Sequence, residues 1–323
     1  MRPLKFHPIL KQTLWGGERI IPYKELASGL SRVGESWELS GMPGSESVVA
    51  EGPWAGSTLS ELIGRFGAEL LGKANYARFG QEFPLLVKFI DAREDLSIQV
   101  HPDDELARKR HGKSGKCEMW YVLEAEPGAS LLTGFSRPIA PAEYERRVAD
   151  NTLTDVLNRQ AIASGDVFYL PAGRVHSIGK GSFIVEIQQS SDITYRIYDF
   201  DRRDAAGNSR ELHTELAREA IDFESSENSR ITYAPENNQE VRLVTTPYFT
   251  TSLYTLTART RCDWSATDSF VAIVLLQGSG SLTDNEGTRI DVRQGETWLL
   301  PASTQWTEIT PHTAPLRLLT SRI

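Results

Sequence analysis

A short polar strand carries the residues of this chain that are best suited to chemistry. Residues 97–101 read Ser-Ile-Gln-Val-His, an alternation typical of a strand whose successive side chains point to opposite faces. Gln99 and His101 would therefore share a face with Ser97. Burying an amide or an imidazole without a partner costs roughly 2–7 kcal/mol, and a metal ion would be a suitable partner. A solvated strand face or a hydrogen-bonded core histidine is the alternative interpretation.

Two additional residues, which come later in the chain, complete a candidate ligand set. Glu118 opens an apolar run, and His176 follows a strand and a tight turn rich in Gly and Pro, which returns the chain towards the inner face of that strand. With Gln99 and His101 they offer two nitrogen and two oxygen donors, a set that suits zinc and tolerates manganese, cobalt or iron(II). A divalent ion with one carboxylate ligand keeps a net charge of about +1 and acts as a Lewis acid for a substrate oxygen.

Three basic residues indicate the charge of the ligand. Lys88 interrupts an apolar strand at residues 85–90, so it is either an edge residue that extends outward or a functional cation. In a chain with a formal net charge of −8, grouping Lys88, Lys116 and Arg196 near one metal would imply an anionic ligand, most simply a phosphate ester. Spacing does not establish that grouping, and each residue alone could be an ordinary surface charge.

Composition excludes several other classes of partner. The 323 residues and 40% hydrophobic content fit a globular chain of about two domains. The negative charge argues against nucleic acid and acidic membranes, so a small-molecule partner is expected. Cys117 and Cys262 are too few for a disulfide framework and fit a reducing compartment. No apolar run is long enough to span a membrane, and prolines and charges within residues 1–10 argue against a signal peptide, so a cytoplasmic location is expected.

A repeated segment divides the chain into two related units. Residues 165–172 read Gly-Asp-Val-Phe-Tyr-Leu-Pro-Ala, and residues 295–302 read Gly-Glu-Thr-Trp-Leu-Leu-Pro-Ala. Strands joined by tight turns suit jelly-roll barrels, in which distant strands converge on one interior. Five residues after the proline, His176 of the first copy corresponds to Trp306 of the second. The second barrel is therefore expected to lack a metal site.

The predicted organisation is mainly β, with two jelly-roll barrels and a small helical insertion in the N-terminal half. A catalytic domain is expected at residues 1–230, with helical segments at about 57–80 and 138–160. Ser57 or Thr58 followed by Glu61 predicts the capped start of the first helical segment. A polar linker is expected at residues 224–240, and a second domain without metal ligands is expected at residues 231–323, which includes the end of that polar stretch.

Several separated motifs resemble those of the type I phosphomannose isomerases, in their short bacterial form. They lie at residues 15–17, 34–38, 97–102, 116–120 and 192–196, and the resemblance covers nearly the whole chain. It implies a fold of cupin barrels, a bound Zn²⁺ and the interconversion of mannose 6-phosphate and fructose 6-phosphate through an enediol.

The resemblance also assigns roles residue by residue. By motif, the metal ligands are Gln99, His101, Glu118 and His176, the catalytic arginine is Arg196, the proton-transfer residues are Lys116 and Asp192, and the residues near the phosphate are Ser97 and Lys88. The helical part is shorter here than in long family members, so phosphate contacts from that part do not carry over. Which of Lys116 and Asp192 is the base stays open.

Two other classes of function remain as alternatives. One is a non-catalytic cupin that binds a sugar or sugar phosphate, which the set of Lys116, Glu118 and Arg196 disfavours. The other is a different metal-dependent cupin enzyme, such as a dioxygenase or another sugar isomerase. Oxygenases usually use two histidines and a carboxylate with open positions, whereas Gln99 and the basic residues favour a sugar phosphate.

Overall fold

The computed structural model describes residues 1–224 and 228–323. The prediction of a mainly β chain is confirmed, since strands run through both halves. Among the described residues, none of the helices has the length and apolar character that a membrane crossing requires.

The strands of the first half are β1 (Leu4–Lys5), β2 (Ile9–Gly17), β3 (Val33–Met42), β4 (Ser45–Glu46), β5 (Leu85–Ala92), β6 (Ile98–Val100), β7 (Glu118–Ala125), β8 (Ser130–Phe135), β9 (Leu157–Ala161), β10 (Val167–Leu170), β11 (His176–Ile178), β12 (Ser182–Gln189) and β13 (Tyr195–Tyr198). Those of the second half are β14 (Arg230–Ile231), β15 (Val241–Thr245), β16 (Thr250–Leu256), β17 (Thr260–Asp263), β18 (Val271–Gln277), β19 (Ser279–Asp284), β20 (Arg289–Arg293), β21 (Thr297–Leu300), β22 (Trp306–Pro311) and β23 (Leu316–Arg322). The helices are α1 (Ile20–Tyr23), α2 (Leu59–Phe66), α3 (Ala68–Leu71), α4 (Lys73–Phe79), α5 (Asp104–His111), α6 (Pro141–Ala149) and α7 (Thr214–Ala220), with a 3₁₀ turn at Leu153–Val156.

These strands form four antiparallel sheets. Sheet I has the order β14-β10-β7-β12-β5-β2-β3-β4, and sheet II has the order β13-β6-β11-β8-β9. Sheet III has the order β1-β21-β18-β23-β16-β15, and sheet IV has the order β17-β22-β19-β20. The run β10-β7-β12-β5 of sheet I thus matches β21-β18-β23-β16 of sheet III, and β6-β11-β8-β9 of sheet II matches all of sheet IV. Sheet IV begins at β17, so no strand of the described residues corresponds to β13.

The repeated segments occupy the same place in the two sheet pairs. Their strands are β10 and β21, and the glycines that precede them, Gly165 and Gly295, have φ angles of +90° and +80°. Only glycine adopts such angles without strain, which explains the residue type at the start of both copies.

The hydrophobic cores follow the sheets. One cluster joins sheet I to sheet III, with Val87 and Phe89 packed in the same core as Ala272 and Val274. A second cluster fills the space between sheets III and IV. A smaller apolar cluster that includes Trp120 and Phe168 fills only part of the interior of the first half. The remaining interior is polar.

The helical segments lie close to their predicted positions. Thr58 caps α2, and a reciprocal capping box with Glu61 is formed, as the sequence predicted. The predicted helical segment at about 138–160 was only partly right, because α6 ends at Ala149, the 3₁₀ turn ends at Val156 and β9 begins at Leu157. Pairing with β8 gives β9 inter-strand backbone hydrogen bonds, whereas a helix this short is only marginally stable by itself.

Two short strands each pair with a strand from the other half of the chain. β1, near the N-terminus, pairs with β21 of sheet III. β14 lies within the predicted polar linker and pairs with β10 of sheet I. Residues 225–227 of that linker lie outside the described residues.

Candidate metal centre

Three buried side chains from different segments meet in the polar part of the interior between sheets I and II, called the first interior below. His101, Glu118 and His176 are 2%, 1% and 1% exposed, and one donor atom from each lies within 4.8 Å of the others. His101 follows β6, His176 opens β11, and both strands belong to sheet II. Glu118 opens β7 of sheet I. The cluster therefore lies where the two sheets face each other.

Strand register places two more predicted residues on this face. Gln99 of β6 lies directly opposite His176 of β11, and on its other side it lies opposite Arg196 of β13. Residues paired in this way point to the same face of the sheet, so Arg196, Gln99 and His176 form one row. His101 is two residues beyond Gln99 and shares its face.

Backbone carbonyls fix the orientation of both imidazoles. Nδ1 of His101 lies 2.7 Å from the Ile193 carbonyl oxygen, and Nδ1 of His176 lies 2.8 Å from the Arg174 carbonyl oxygen. A carbonyl only accepts, so each Nδ1 carries the proton and donates it. In the neutral form of either ring, Nε2 then carries a bare lone pair, which is the form that binds metals.

The atoms at the centre of the cluster have no hydrogen-bond partners among the described residues. They are Nε2 of His101, Nε2 of His176 and both carboxylate oxygens of Glu118. His176 Nε2 lies 3.1 Å from one Glu118 oxygen, and His101 Nε2 lies 3.6 Å from the other. Lone pairs that face each other in a buried site repel, and a cation between them removes that repulsion.

The spacing places the three side chains within reach of one ion. Two donors at about 2.0–2.1 Å from zinc lie roughly 3.3 Å apart in a tetrahedron, and each Nε2 lies at a comparable distance from a different oxygen of Glu118. Burial, with a further contribution from Lys116, lowers the pKa of His101 well below its usual range, so this ring is neutral and ready to bind. The three residues could therefore hold a divalent ion.

Lys116 lies beside the carboxylate. Its Nζ is 3.2 Å from Glu118 Oε2, and both side chains are buried. Burial raises the pKa of Glu118, but the positive charge of Lys116 and the neighbouring histidines outweigh burial, and the pKa lies well below its ordinary value. Glu118 is therefore an anion, and Lys116 is held at the edge of the cluster.

Lys88 lies on the same inner face but is shared by two carboxylates. Its Nζ is 3.2 Å from Glu186 and 3.8 Å from Glu35. Burial opposes the charged form, but these carboxylates raise the pKa of Lys88 above its ordinary value. The lysine is therefore a fixed cation whose charge is already matched.

Arg196 is anchored at one end of its guanidinium. Its Nη1 donates to the Glu211 carbonyl oxygen at 2.9 Å, whereas its Nε is buried and has no hydrogen-bond partner within the described chain. Burial and the nearby Arg210 lower the pKa of Arg196, although a guanidinium keeps its proton in proteins. One donor of this side chain is thus available to a bound anion or oxyanion.

The remaining predicted site residues lie outside this cluster. Asp192 is 49% exposed and pairs with Lys113 at 3.0 Å, so the structure does not bring its carboxylate into the buried group. It does precede Ile193, whose carbonyl orients His101. Ser97 is buried immediately before β6.

The comparisons with known proteins agree with the motifs. A family model described as phosphomannose isomerase type I, catalytic domain, matches residues 4–132. The chain is 34% identical over 303 residues to the probable mannose-6-phosphate isomerase GmuF of Bacillus subtilis, with 93% of each chain covered. The chain belongs to the type I phosphomannose isomerases.

Other relatives extend this likeness to the fold of the phosphomannose isomerases. The chain is 33% identical over 302 residues to the mannose-6-phosphate isomerase of Streptococcus mutans, which covers 93% of this chain and 92% of the relative. The crystal structure of the mannose 6-phosphate isomerase from Bacillus subtilis matches it with a TM-score of 0.90 at 30% identity, over 100% of both chains. The predicted family, in its short bacterial form, is confirmed.

Sequence reasoning missed four side chains that group around Lys88 and extend to His176. They are Glu35, Trp37, Trp120 and Glu186. Glu186 lies in the apolar strand β12, on the same face as Gln188 and with apolar neighbours on either side. Polar residues at every second position of a buried strand are the signal that was available.

Proposed function

We propose that this chain is a metal-dependent aldose-ketose isomerase that interconverts mannose 6-phosphate and fructose 6-phosphate through an enediol. The observation that carries the proposal is the buried meeting of His101, Glu118 and His176 with bare donor atoms, in a chain of the phosphomannose isomerase family. An aldose-ketose conversion needs a group that moves a proton between C1 and C2, and positive charge beside the developing oxyanion. Both requirements have candidates within this cluster.

The proposed cofactor is one Zn²⁺ per chain, with Gln99 as the fourth protein ligand. The position of Gln99 opposite His176 supports this assignment. When bound, a divalent ion would supply a Lewis acid for a sugar oxygen.

Lys116 is the proposed proton-transfer group. Its nitrogen is buried beside Glu118, so it faces the interior in which a bound sugar would lie. In its neutral form the amine takes the proton from C2 of the aldose and returns it to C1, while the hydroxyl proton of O2 passes to O1 by way of the enediol, and the reverse reaction uses the same path. Asp192 is assigned the lesser role of holding the segment that orients His101, through its contact with Lys113.

Arg196 is the proposed partner of the developing oxyanion. Arg196 lies opposite Gln99, and its Nε has no hydrogen-bond partner within the described chain. Both facts support this role, since a donor that is already in place stabilises the charge of the transition state without reorganisation of the site. Ser97 and Lys88 are retained as candidates near the phosphate.

The same proposal covers the organisation of the chain. Residues 1–230 would form a metal-binding cupin barrel from sheets I and II, and residues 231–323 a second cupin-like barrel without ligands. The matching strand orders of the two sheet pairs support two related barrels. Two free, buried cysteines suit a reducing cytoplasm, and a negatively charged chain suits a small-molecule substrate better than nucleic acid or a membrane.

A direct assay tests the function. Purified enzyme loaded with zinc should convert mannose 6-phosphate to the ketose, lose activity with a chelator and regain it when zinc is added. Binding of mannose 6-phosphate by calorimetry without ketose formation would instead indicate a non-catalytic sugar-phosphate-binding protein. Conversion that persists after complete removal of metal would contradict the metal-dependent mechanism.

A further inference from the structure

A row of four side chains crosses sheet I beside the metal centre. Trp37 of β3 lies opposite Lys88 of β5, Lys88 lies opposite Glu186 of β12, and Glu186 lies opposite Trp120 of β7. Residues paired directly across antiparallel strands share one face, so all four point into the first interior. Glu186 and Trp120 are fully buried.

Indole groups hold both carboxylates that contact Lys88. Nε1 of Trp120 donates to Glu186 Oε2 at 2.8 Å, and Nε1 of Trp37 donates to Glu35 Oε2 at 2.6 Å. The other oxygen of Glu186, Oε1, lies 3.2 Å from Lys88 Nζ. Glu186 therefore has a rigid aromatic donor on one oxygen and the flexible lysine near the other, whereas Glu35 presents the same oxygen, Oε2, to the Trp37 indole and, at 3.8 Å, to Lys88.

The row ends against a metal ligand. The indole of Trp120 lies edge-on to the His176 imidazole, with ring centroids 5.4 Å apart and an interplanar angle of 76°. Glu186 contacts none of the three clustered donors itself. It is bonded to a side chain that packs on one of them.

We propose that Glu186 is a positioning residue. It fixes the Lys88 ammonium on the inward face of sheet I and the Trp120 indole against His176. This rests on the proposed function. A lysine without a fixed partner samples several rotamers, and ordering it costs free energy in every turnover. A carboxylate held by an indole N–H fixes the ammonium before the substrate arrives, and a misplacement of about 1 Å can cost roughly a hundredfold in rate.

The charge of the group also defines what Lys88 can contact. One ammonium between two carboxylates leaves a net negative group on this part of the interior. A phosphate dianion placed there would meet repulsion, whereas a neutral hydroxyl or carbonyl oxygen would accept a hydrogen bond from Lys88. Of the two candidates near the phosphate, Ser97 is therefore kept and Lys88 is reassigned to an uncharged oxygen of the sugar.

The test compares two buried carboxylates of the same sheet. Glu186→Gln removes the charge next to Lys88 and keeps an oxygen for the indole. Glu38→Gln is the matched control, since Glu38 is equally buried and pairs with Lys24 at 2.9 Å but accepts a hydrogen bond from Ser36, which lies opposite Phe89 rather than Lys88. Glu186→Asp retains the charge on a shorter side chain.

The expected result is a loss of at least about tenfold in kcat for Glu186→Gln, with KM changed by less than about threefold. Glu186→Asp should recover part of kcat, and Glu38→Gln should stay within about threefold of the wild type. Equal losses of kcat in the Glu186 and Glu38 variants, or an unchanged kcat in folded Glu186→Gln, would overturn the proposal.

A measurement that needs no turnover tests the link to His176. In a chelator competition with zinc, Trp120→Phe keeps the aromatic ring but loses the N–H, and we expect zinc affinity to fall by about tenfold, as for other outer partners of metal ligands. Unchanged zinc affinity would remove this part of the proposal. Circular dichroism checks that Trp120→Phe is folded. If the wild-type enzyme fails to convert mannose 6-phosphate, that result refutes only the proposed function, and the zinc affinity still tests the link between Trp120 and His176.

Discussion

The two halves of the molecule share a strand order but differ in what their interiors contain. Across sheet I, the inner row runs through Lys88, Glu186, Trp120 and Phe168. At the matching places of sheet III the row runs through Ser252, Thr320, Ile273 and Trp298. The ion pair and its indole anchor are thus replaced by two small hydroxyl side chains and an isoleucine.

The ligand positions differ in the same way. Glu118 lies opposite Leu170 in sheet I, and the residue opposite Leu300 in sheet III is Val271. Where His176 lies opposite Gln99, Trp306 lies opposite Asp263. The second interior is filled by a continuous apolar cluster, so its side chains need no ion.

This comparison separates scaffold from site. A pair of antiparallel sheets in this order is stable with either interior, provided that each buried polar group finds a partner. In the proposed mechanism, the chemistry of the first half comes from a few inward-facing residues that differ from those of the second half and from β13, which carries Arg196 and has no counterpart among the described strands of sheet IV. The sharpest experiments therefore exchange or remove residues at matched positions of the two halves.

The largest effect is expected from removing a ligand. His176→Ala should lower kcat by well over about a hundredfold and reduce bound zinc, because even outer partners of metal ligands are worth roughly 10–100-fold. Ketose formation and metal analysis by mass spectrometry measure both quantities. Trp306→Ala at the corresponding position of the second half is the control, and loss of bound zinc in that variant would show that the halves are not separated in function.

The next largest effect is expected from changing Arg196 on β13, the strand of sheet II that has no counterpart in the described part of sheet IV. Arg196→Ala should lower kcat by about a hundredfold or more while zinc stays bound, because a fixed donor to a developing oxyanion is worth roughly 10²–10³ in kcat. Arg261→Ala on β17 removes a guanidinium that stacks on Trp306 in the second half and should leave kcat nearly unchanged. If kcat of Arg196→Ala stays within about tenfold of the wild type, the oxyanion role is wrong.

Much of the candidate site could be predicted from local patterns. Alternation at residues 97–101 placed Gln99 and His101 on one face, and the glycine-to-proline repeat located both His176 and its replacement Trp306. The capping pair at Thr58 is equally local. These features depend on side chains within a few positions of each other along the chain.

The features that could not be predicted depend on register and on side-chain direction. Pairing of Lys88 with Glu186 requires the alignment of β5 with β12, which lie about a hundred residues apart in sequence. Asp192 belongs to a family motif, but only the fold shows that its side chain turns outward to Lys113. The pairing of β1 with β21 joins the two ends of the chain and has no local signal.

A smaller effect tests whether the second interior tolerates the chemistry of the first. Val271→Glu places a carboxylate in the apolar cluster without the lysine that accompanies Glu118, and we expect the free energy of unfolding to fall by about 3 kcal/mol. Val271→Gln has the same shape without the charge and should be less destabilised in urea unfolding at neutral pH. Equal stability of the two variants would mean that the buried charge finds a partner there.

The smallest expected effect is the acid sensitivity of the polar row. Burial raises the pKa of Glu35, but Lys88 and the Trp37 indole outweigh it, and the net pKa is lowered from 4.5. A carboxylate with a lowered pKa contributes stability that is complete above its unfolded-state pKa and is lost as the pH falls through the folded-state value. Below about pH 4.5, sheet I should therefore lose hydrogen-exchange protection before sheet III, whose matching row of Ser252 and Thr320 does not titrate.

Glu35→Gln distinguishes this cause from a general acid instability of the fold. The glutamine cannot gain a proton, so the protection factors of sheet I, corrected for the intrinsic exchange rate at each pH, should depend less steeply on pH than in the wild type. The dependence in sheet III should be the same in both proteins. An equal slope for sheet I in wild type and variant would assign the acid sensitivity to other carboxylates, and the charged row would then differ from its neutral counterpart in reactivity but not in stability.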